Sequence, residues 1–512
     1  MWTRLTDFLS RHAEKIVLIL AIALSIASFI YYYHAGLITA YGDGRAHLNI
    51  ARRVVDSLTP GVAQFGGYWM PVLHVLMLPT IWNDFMWQSG LSGAIPNMIA
   101  FIIAVVLMFR LVLYITKDKF SAFIGASVLL FNPNLLYMQA APMTESLFVM
   151  TTIGFMYFFY RWFQEKRVSD LIFAALFLVL CSTNRYEGWG LVIAANTLMV
   201  WYWVQTRFDR KVEGAMFLFA SLSFMGIFLW LLWGAVIFHD PLEFMHNALS
   251  AGNQTGLFDE WTGVHNIRDA VLANVYAIFH ISGALLFSAG TLGLIIYFIR
   301  GWRDTFKSEH LIILLLMVPF LFDVLTLYLG NVPVEVPELS KIAPPGNYFN
   351  IRYALFSVPF FAIFTALISR KKLIQIVILF IVLVNYHFVY SHKGGHIAAL
   401  MDAGAVGVFD TTPTGAISWL RDNYDEGLIL SSTVNIDSQL YKLALQQKTF
   451  INEGSYGYWM ESMSDPAKYS KWIFYAKIDP REPLLKKINK SALQSDFTIE
   501  YEDTYFVILK RK

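Results

Sequence analysis

Two short motifs place an acid where a hydroxyl proton could be taken. The first is Gly42-Asp43-Gly44, whose glycines let the backbone turn sharply and leave the carboxylate uncrowded. The second is Thr144-Glu145-Ser146, at the head of a long apolar run. An acid held beside low-dielectric walls has its pKa pushed up and can serve as a general base. Two cationic motifs accompany these acids: the polar turn Asn184-Arg185-Tyr186-Glu187-Gly188, and Tyr348-Phe349-Asn350-Ile351-Arg352-Tyr353, which leads into an apolar run. Arginine holds a phosphate through parallel hydrogen bonds, and a guanidinium at a membrane edge finds an anion or snorkels. Plainer readings exist for all four. Asp43 is a helix cap, Thr144 with Glu145 a capping pair, Arg185 with Glu187 a local ion pair, and Arg352 an interfacial anchor.

The elements that position these residues are membrane helices. Of 512 residues, 56% are hydrophobic and only 15% charged, and mean hydropathy is +0.50. So few charges do not keep a chain of this length in water. With 39 basic and 37 acidic residues, nucleic-acid binding by bulk attraction is excluded. Cys181 is the single cysteine, which excludes an intramolecular disulfide. Eleven apolar runs reach the length of a span: 16–34, 97–116, 120–136, 145–163, 169–184, 188–205, 214–237, 272–299, 310–329, 351–369 and 373–391. Lys and Arg test this count, because they collect in cytoplasmic loops. With the N-terminus inside, the inner segments hold seventeen of them, such as Arg161, Lys166 and Arg167, against seven outside: Arg45, Arg52, Arg53, Arg185, Arg268, Lys341 and Arg352.

The expected fold is therefore an α-helical polytopic membrane protein of about eleven spans over residues 1–392. Its large outer loops are 35–96 and 238–271, and a small α/β extracytoplasmic domain follows over 393–512. Helix-like segments (414–423, 437–446) and strand-like ones (427–431, 471–476, 504–509) support that last unit. Asp43, Glu145, Arg185 and Arg352 then share the outer face. Asp323 lies in the outer half of the ninth span, and with Arg352 it would serve the alternative function class, a secondary transporter of a lipid or small solute. The spacing of His239, Asp240 and His246 matches no metal pattern.

Together these features resemble the GT-C superfamily of polytopic glycosyltransferases, which use polyprenyl- or dolichyl-phosphate sugars. Gly42-Asp43-Gly44, the helical stretch 46–58 and Tyr68-Trp69-Met70-Pro71 fit its first outer loop in order. Thr144-Glu145-Ser146 looks like the acidic start of a span in mannosyltransferase-like members. Asn184-Arg185-Tyr186-Glu187-Gly188, Asp240-Pro241-Leu242 and Asn350-Ile351-Arg352-Tyr353 are similar to later family motifs. The resemblance implies an inverting hexosyl- or pentosyltransferase in the plasma membrane, acting at the outer face. Its partners would be a polyprenyl-phosphate sugar, an acceptor glycan, lipid or protein, and the bilayer, with no nucleic acid. Asp43 and Glu145 would be catalytic, and Arg352, Arg185 and Tyr348 would hold the donor phosphate. His47, Tyr68, His74 and Glu187 would contact acceptor or sugar. Segment 137–144 has no acid, unlike the acidic pair of the metal-dependent oligosaccharyltransferases, so transfer of one sugar from a monophosphate is favoured. No cofactor is called for; a divalent cation stays compatible with the acids and histidines on this face. Loop 238–271 would close over the site, with Gly252, Gly256 and Asn253-Gln254-Thr255 giving it freedom to move.

Overall fold

In the computed structural model, residues 2–246, 261–303, 308–340, 348–391, 397–406, 414–433, 436–477, 482–488 and 490–512 are described. Lys341 and the Gly252–Gly256 stretch of the expected closing loop lie outside them. Every one of the eleven apolar runs falls on helix, but the count of eleven spans is not met. Among the described residues, five helices are long and apolar enough to cross a membrane: His12–His34, Leu91–Thr116, Arg210–Phe238, Leu311–Tyr328 and Lys372–Ser391. The other runs form helices that are shorter, broken or more polar. Run 120–136 divides into Lys119–Leu130 and Pro133–Met138, where Asn132 caps the second helix through the backbone N–H groups of Asn134 and Leu135. Run 272–299, expected as one span, is Ile267–Ser282 followed by Ala284–Arg303, bent by 113°. Gly283 at the break has φ +81°, and Asn385 satisfies the freed groups: its Oδ1 accepts from Leu285 and Leu286, and its Nδ2 donates to Ser282 O. Counted as one span, this pair makes six.

Lipid is the natural solvent for the outer faces of these helices. Ile19, Phe217, Leu373 and Phe380 all stand more than half exposed, an arrangement that water would penalise at about 25 cal/mol per Å² of apolar surface. The chain is an integral membrane protein. Its inner faces form one large core that extends beyond residue 392, since Ile397, Ala398, Ala399 and Ala403 of the segment carrying helix Ala398–Val406 are buried within it.

The C-terminal part builds a five-stranded sheet in the order β2-β1-β3-β5-β4. The strands are β1 (Ile429–Leu430), β2 (Phe450–Ile451), β3 (Trp472–Ala476), β4 (Phe497–Glu502) and β5 (Phe506–Arg511). β1 pairs in parallel with β2 and β3, whereas β5 lies antiparallel between β3 and β4. Thr414 caps helix Gly415–Asn423 by accepting from the Ile417 N–H, and that helix covers one face of the sheet through Ile417 and Leu420. Beside an apolar cluster that Tyr441 shares with Leu48 and Ala51, a polar seam joins this unit to helix Gly42–Val55. Arg53 Nη1 reaches both Asp437 oxygens at 2.9 and 3.0 Å, and Asn49 Nδ2 donates to Asp437 Oδ1 at 2.9 Å. Tyr441 Oη donates to the Gln88 carbonyl at 2.6 Å.

Arg53 and Asp437 are both nearly buried, so removing one partner strands the other's charge. We expect Asp437→Ala to cost about 3–5 kcal/mol and to loosen the sheet from the helical body. Limited proteolysis between 392 and 437 measures this. Protection equal to wild type contradicts the clamp.

Candidate active site

Helix Gly42–Val55 begins two residues earlier than a cap at Asp43 would require. Tyr41 is its N-cap position and no side chain caps the end, so Asp43 sits in the first turn with its carboxylate unspent on backbone. Helix Glu145–Glu165 starts in the same way, with Thr144 before it and no side-chain cap. The capping readings of both acids therefore fail. Close approach of the two starts depends on glycine. A Cβ on Gly44 would meet Pro142 Cγ at 3.0 Å, and one on Gly93 would meet Pro142 Cβ at 2.4 Å. Asn97 Nδ2 donates to the carbonyls of Ala141 and Met143 and fixes the loop that delivers Glu145.

Arg352 is the hub that these elements surround. It lies on the short helical segment Ile351–Ser357, which follows Asn350 in a left-handed conformation (φ 54°). Its side chain is 3% exposed. Nη2 donates to Asp43 Oδ2 at 2.6 Å, Nε donates to Glu145 Oε1 at 3.1 Å, and Nη1 lies 3.6 Å from Asp402 Oδ2. The rings of Tyr41 and Tyr353 sit 4.9 and 5.1 Å from the guanidinium carbon. An interfacial anchor this is not. Arg185 forms the second cationic centre, donating to Glu187 Oε1 from Nη2 at 2.7 Å and to Thr144 Oγ1 at 2.9 Å, with Glu145 Oε1 at 3.4 Å. Its local pairing with Glu187 is real, yet it also joins the larger cluster. The tight turn needs Gly188, whose Cβ would stand 2.5 Å from the Cys181 carbonyl.

Exposure separates the acids. Glu145 and Asp402 have no exposed side-chain surface, while Asp43 keeps 34%. Asp43 is the carboxylate of this trio that a ligand can reach. Asp402 is the member that sequence reasoning missed, because it follows the last long apolar helix and was assigned to the polar C-terminal unit. Burial raises its pKa to about 6, with the Arg352 charge opposing.

The remaining candidates fall into three places. His47 lies one helical turn after Asp43, with its Nδ1 2.8 Å from His74 Nε2 and its ring 4.3 Å from that of Trp69. Burial, then the charges of Arg185 and Arg352, lower the His47 pKa to about 3; burial likewise holds His74 well below its usual range. Tyr68 accepts a hydrogen bond at its carbonyl from Tyr186 Oη, and burial pushes its phenol up, with Asp437, Arg53 and Asp43 acting on it electrostatically. Tyr348 lands elsewhere: its hydroxyl lies 3.3 Å from His280 Nδ1, and His280 Nε2 meets Glu338 at 2.9 Å. Asp323 is buried and interacts with Glu187 and Arg185, and His246 pairs with Asp240 at the surface. Among the described residues, no three His, Cys, Asp or Glu side chains converge as metal ligands. Between Asp43 and Glu145 stands the Arg352 guanidinium.

No protein-family model and no curated protein matches this sequence. Solved structures share its fold, among them the following two. ArnT from Cupriavidus metallidurans, bound to undecaprenyl phosphate, superposes with a TM-score of 0.53 at 10% identity over 95% of this chain and 97% of that one. The Archaeoglobus fulgidus oligosaccharyltransferase, tethered to an acceptor peptide containing the NVT sequon, gives a TM-score of 0.52 at 10% identity over 98% of this chain and 74% of that one. The fold is the GT-C type that the sequence motifs resemble.

His47 and His74 are neutral in the folded site, whereas an unfolded imidazole titrates near 6.5. Folding therefore loses stability as pH falls below about 6.5 toward 3, because the unfolded chain takes up protons that the folded site refuses. We expect nitrogen-15 histidine spectra of the folded protein to show neither ring titrating between pH 5 and 8. A ring that titrates near 6.5 contradicts the buried dyad.

Proposed function

We propose that this protein is a glycosyltransferase that moves one sugar from a polyprenyl-phosphate donor to an acceptor hydroxyl, with inversion, at the extracytoplasmic face. The observation that carries this reading is the Arg352 guanidinium, buried and held by Glu145 and Asp402, with its one open edge closed only by Asp43. Undecaprenyl phosphate in ArnT, which shares the fold, gives the donor class. The sheet domain lies on the same side in this reading, and the N-terminus faces the cytoplasm.

Charge counting dictates the order of events. Arg352 and Arg185 face four carboxyl groups, those of Asp43, Glu145, Glu187 and Asp402. A phosphate adds further negative charge, so its arrival requires one carboxylate to leave an arginine. Asp43 is the exposed one and shares a single contact, so the donor phosphate takes its place at Nη2. Asp43 is thereby released to act as base. It accepts the proton of the acceptor hydroxyl, the acceptor oxygen attacks the anomeric carbon, and the bond from that carbon to the phosphate oxygen breaks on the opposite side. The electron pair leaves with the polyprenyl phosphate, whose growing charge Arg352 and Arg185 stabilise. Glu145, whose side chain has no exposed surface, stays on Arg352 Nε and orients the guanidinium toward the incoming phosphate. His47 and Tyr68 border the acceptor side. Nearby, Asp43 and His47 present one face of the same helix.

In purified protein supplied with polyprenyl-phosphate sugars, Asp43→Asn should lower transfer by about a hundred- to ten-thousand-fold. Undecaprenyl phosphate binding should hold or strengthen, because a competing anion is gone. Arg352→Ala should weaken both. Transfer by Asp43→Asn above about a tenth of wild type removes Asp43 as the base.

A further inference from the structure

We propose that Asp402 is a positioning residue for Arg352, the rear anchor that keeps the guanidinium aimed at the open face while its occupant changes from Asp43 to a phosphate. This inference rests on the reading of Arg352 as the phosphate ligand. Asp402 lies on helix Ala398–Val406, past the last long apolar helix, and its side chain is fully buried. Each of its oxygens is committed. Oδ1 accepts the backbone N–H of Asn350 at 2.9 Å, and Oδ2 lies 3.6 Å from Arg352 Nη1 and 3.1 Å from Tyr41 Oη, whose proton it shares with the nearer Ala399 carbonyl at 2.6 Å.

Those contacts reach both halves of the reacting pair. Asn350 is the left-handed residue from which the Arg352 segment starts, and its own Nδ2 donates to the Pro333 carbonyl at 2.8 Å. Tyr41 immediately precedes the helix that carries Asp43, and its ring lies beneath the guanidinium. One carboxylate therefore fixes the turn that delivers the arginine and, together with the Ala399 carbonyl of its own helix, meets the residue that precedes the Asp43 helix. At 3.6 Å the contact with Nη1 is an ion pair and lacks hydrogen-bond geometry, so it directs the guanidinium without occupying a donor that a ligand needs. When Asp43 is displaced, Glu145 at Nε and Asp402 behind Nη1 are the two holds that remain.

The groups acting on Asp402 are few. From the elements packed against it, Arg352, Tyr41 and Tyr137 interact with its charge, and through Arg352 it meets Asp43 and Glu145. Its carboxyl is ionised above about pH 6. An ionised Asp402 holds Arg352; a protonated one does not.

The probe is undecaprenyl phosphate, and the readout is its affinity for the full-length protein in nanodiscs. Asp402→Asn keeps an acceptor for Asn350 and a polar group for Tyr41 but loses the charge. We expect it to bind about tenfold more weakly than wild type at pH 7, the scale on which an orienting partner acts, and nearly as wild type at pH 5. The phosphate's own ionisation is common to both proteins, so the difference between them isolates Asp402. In an Arg352→Ala background the Asp402→Asn change should have no further effect. A loss that persists in that background, or equal affinities at pH 7, overturns the positioning role. Should Asp402→Asn fail to fold, the affinities of wild type and Arg352→Ala between pH 5 and 7 decide: a steeper gain in wild type supports the role, and parallel curves overturn it. Wild-type affinity in Arg352→Ala itself is a different result, and it ends the reading of Arg352 as the phosphate ligand.

Discussion

A guanidinium taken out of water must be met by fixed anions, and Arg352 imposes that demand on the whole molecule. Desolvation costs several kcal/mol for a buried ion, and only close, well-aligned partners offset it. Here the partners come from three distant stretches of chain: Asp43 at the first outer helix, Glu145 at the head of a core helix, and Asp402 beyond the last long apolar helix. Arg185 adds a second cation that shares Glu145. The cluster thus ties together elements hundreds of residues apart, and its carboxylates outnumber its arginines.

Close packing is the condition for this cluster. Glycines at 44, 93 and 188 let backbone and Pro142 approach to distances that any side chain would block. Asparagines do the corresponding polar work: Asn97 holds the loop before Glu145, Asn132 starts a broken helix, and Asn385 satisfies the 113° bend at Gly283. In a lipid setting such backbone groups have no water to turn to, so each irregularity carries its own side-chain partner. On the outer side, Arg53 and Asn49 of the Asp43 helix grip Asp437 of the sheet domain. The helix that carries Asp43 is thus held between the membrane body and the sheet domain.

The helical class, all eleven runs as segments of helix, three strands of the sheet and four members of the charge cluster were legible in the sequence. Apolar length and motif chemistry are local signals. What escaped was set by three-dimensional packing. Asp402 has no motif around it and sits in a short apolar stretch beyond the last run long enough to span, so position alone marks it as external, although Ala398, Ala399 and Ala403 bury it in the main core. Strand β2 is two residues long and carries too little alternation to read. The bend at 283 had a signal, the Ser282-Gly283 pair, that the apolar run around it masked. Tyr348 shares a motif with Arg352 but meets His280, because the left-handed turn at Asn350 separates the directions of the two side chains.

The most direct measurement is a structure of the protein with undecaprenyl phosphate bound. The account predicts the phosphate within hydrogen-bond distance of Arg352 Nη2, with Glu145 and Asp402 still on the guanidinium and Asp43 turned away from it. A phosphate seated elsewhere, with the 2.6 Å contact between Arg352 and Asp43 unbroken, contradicts it.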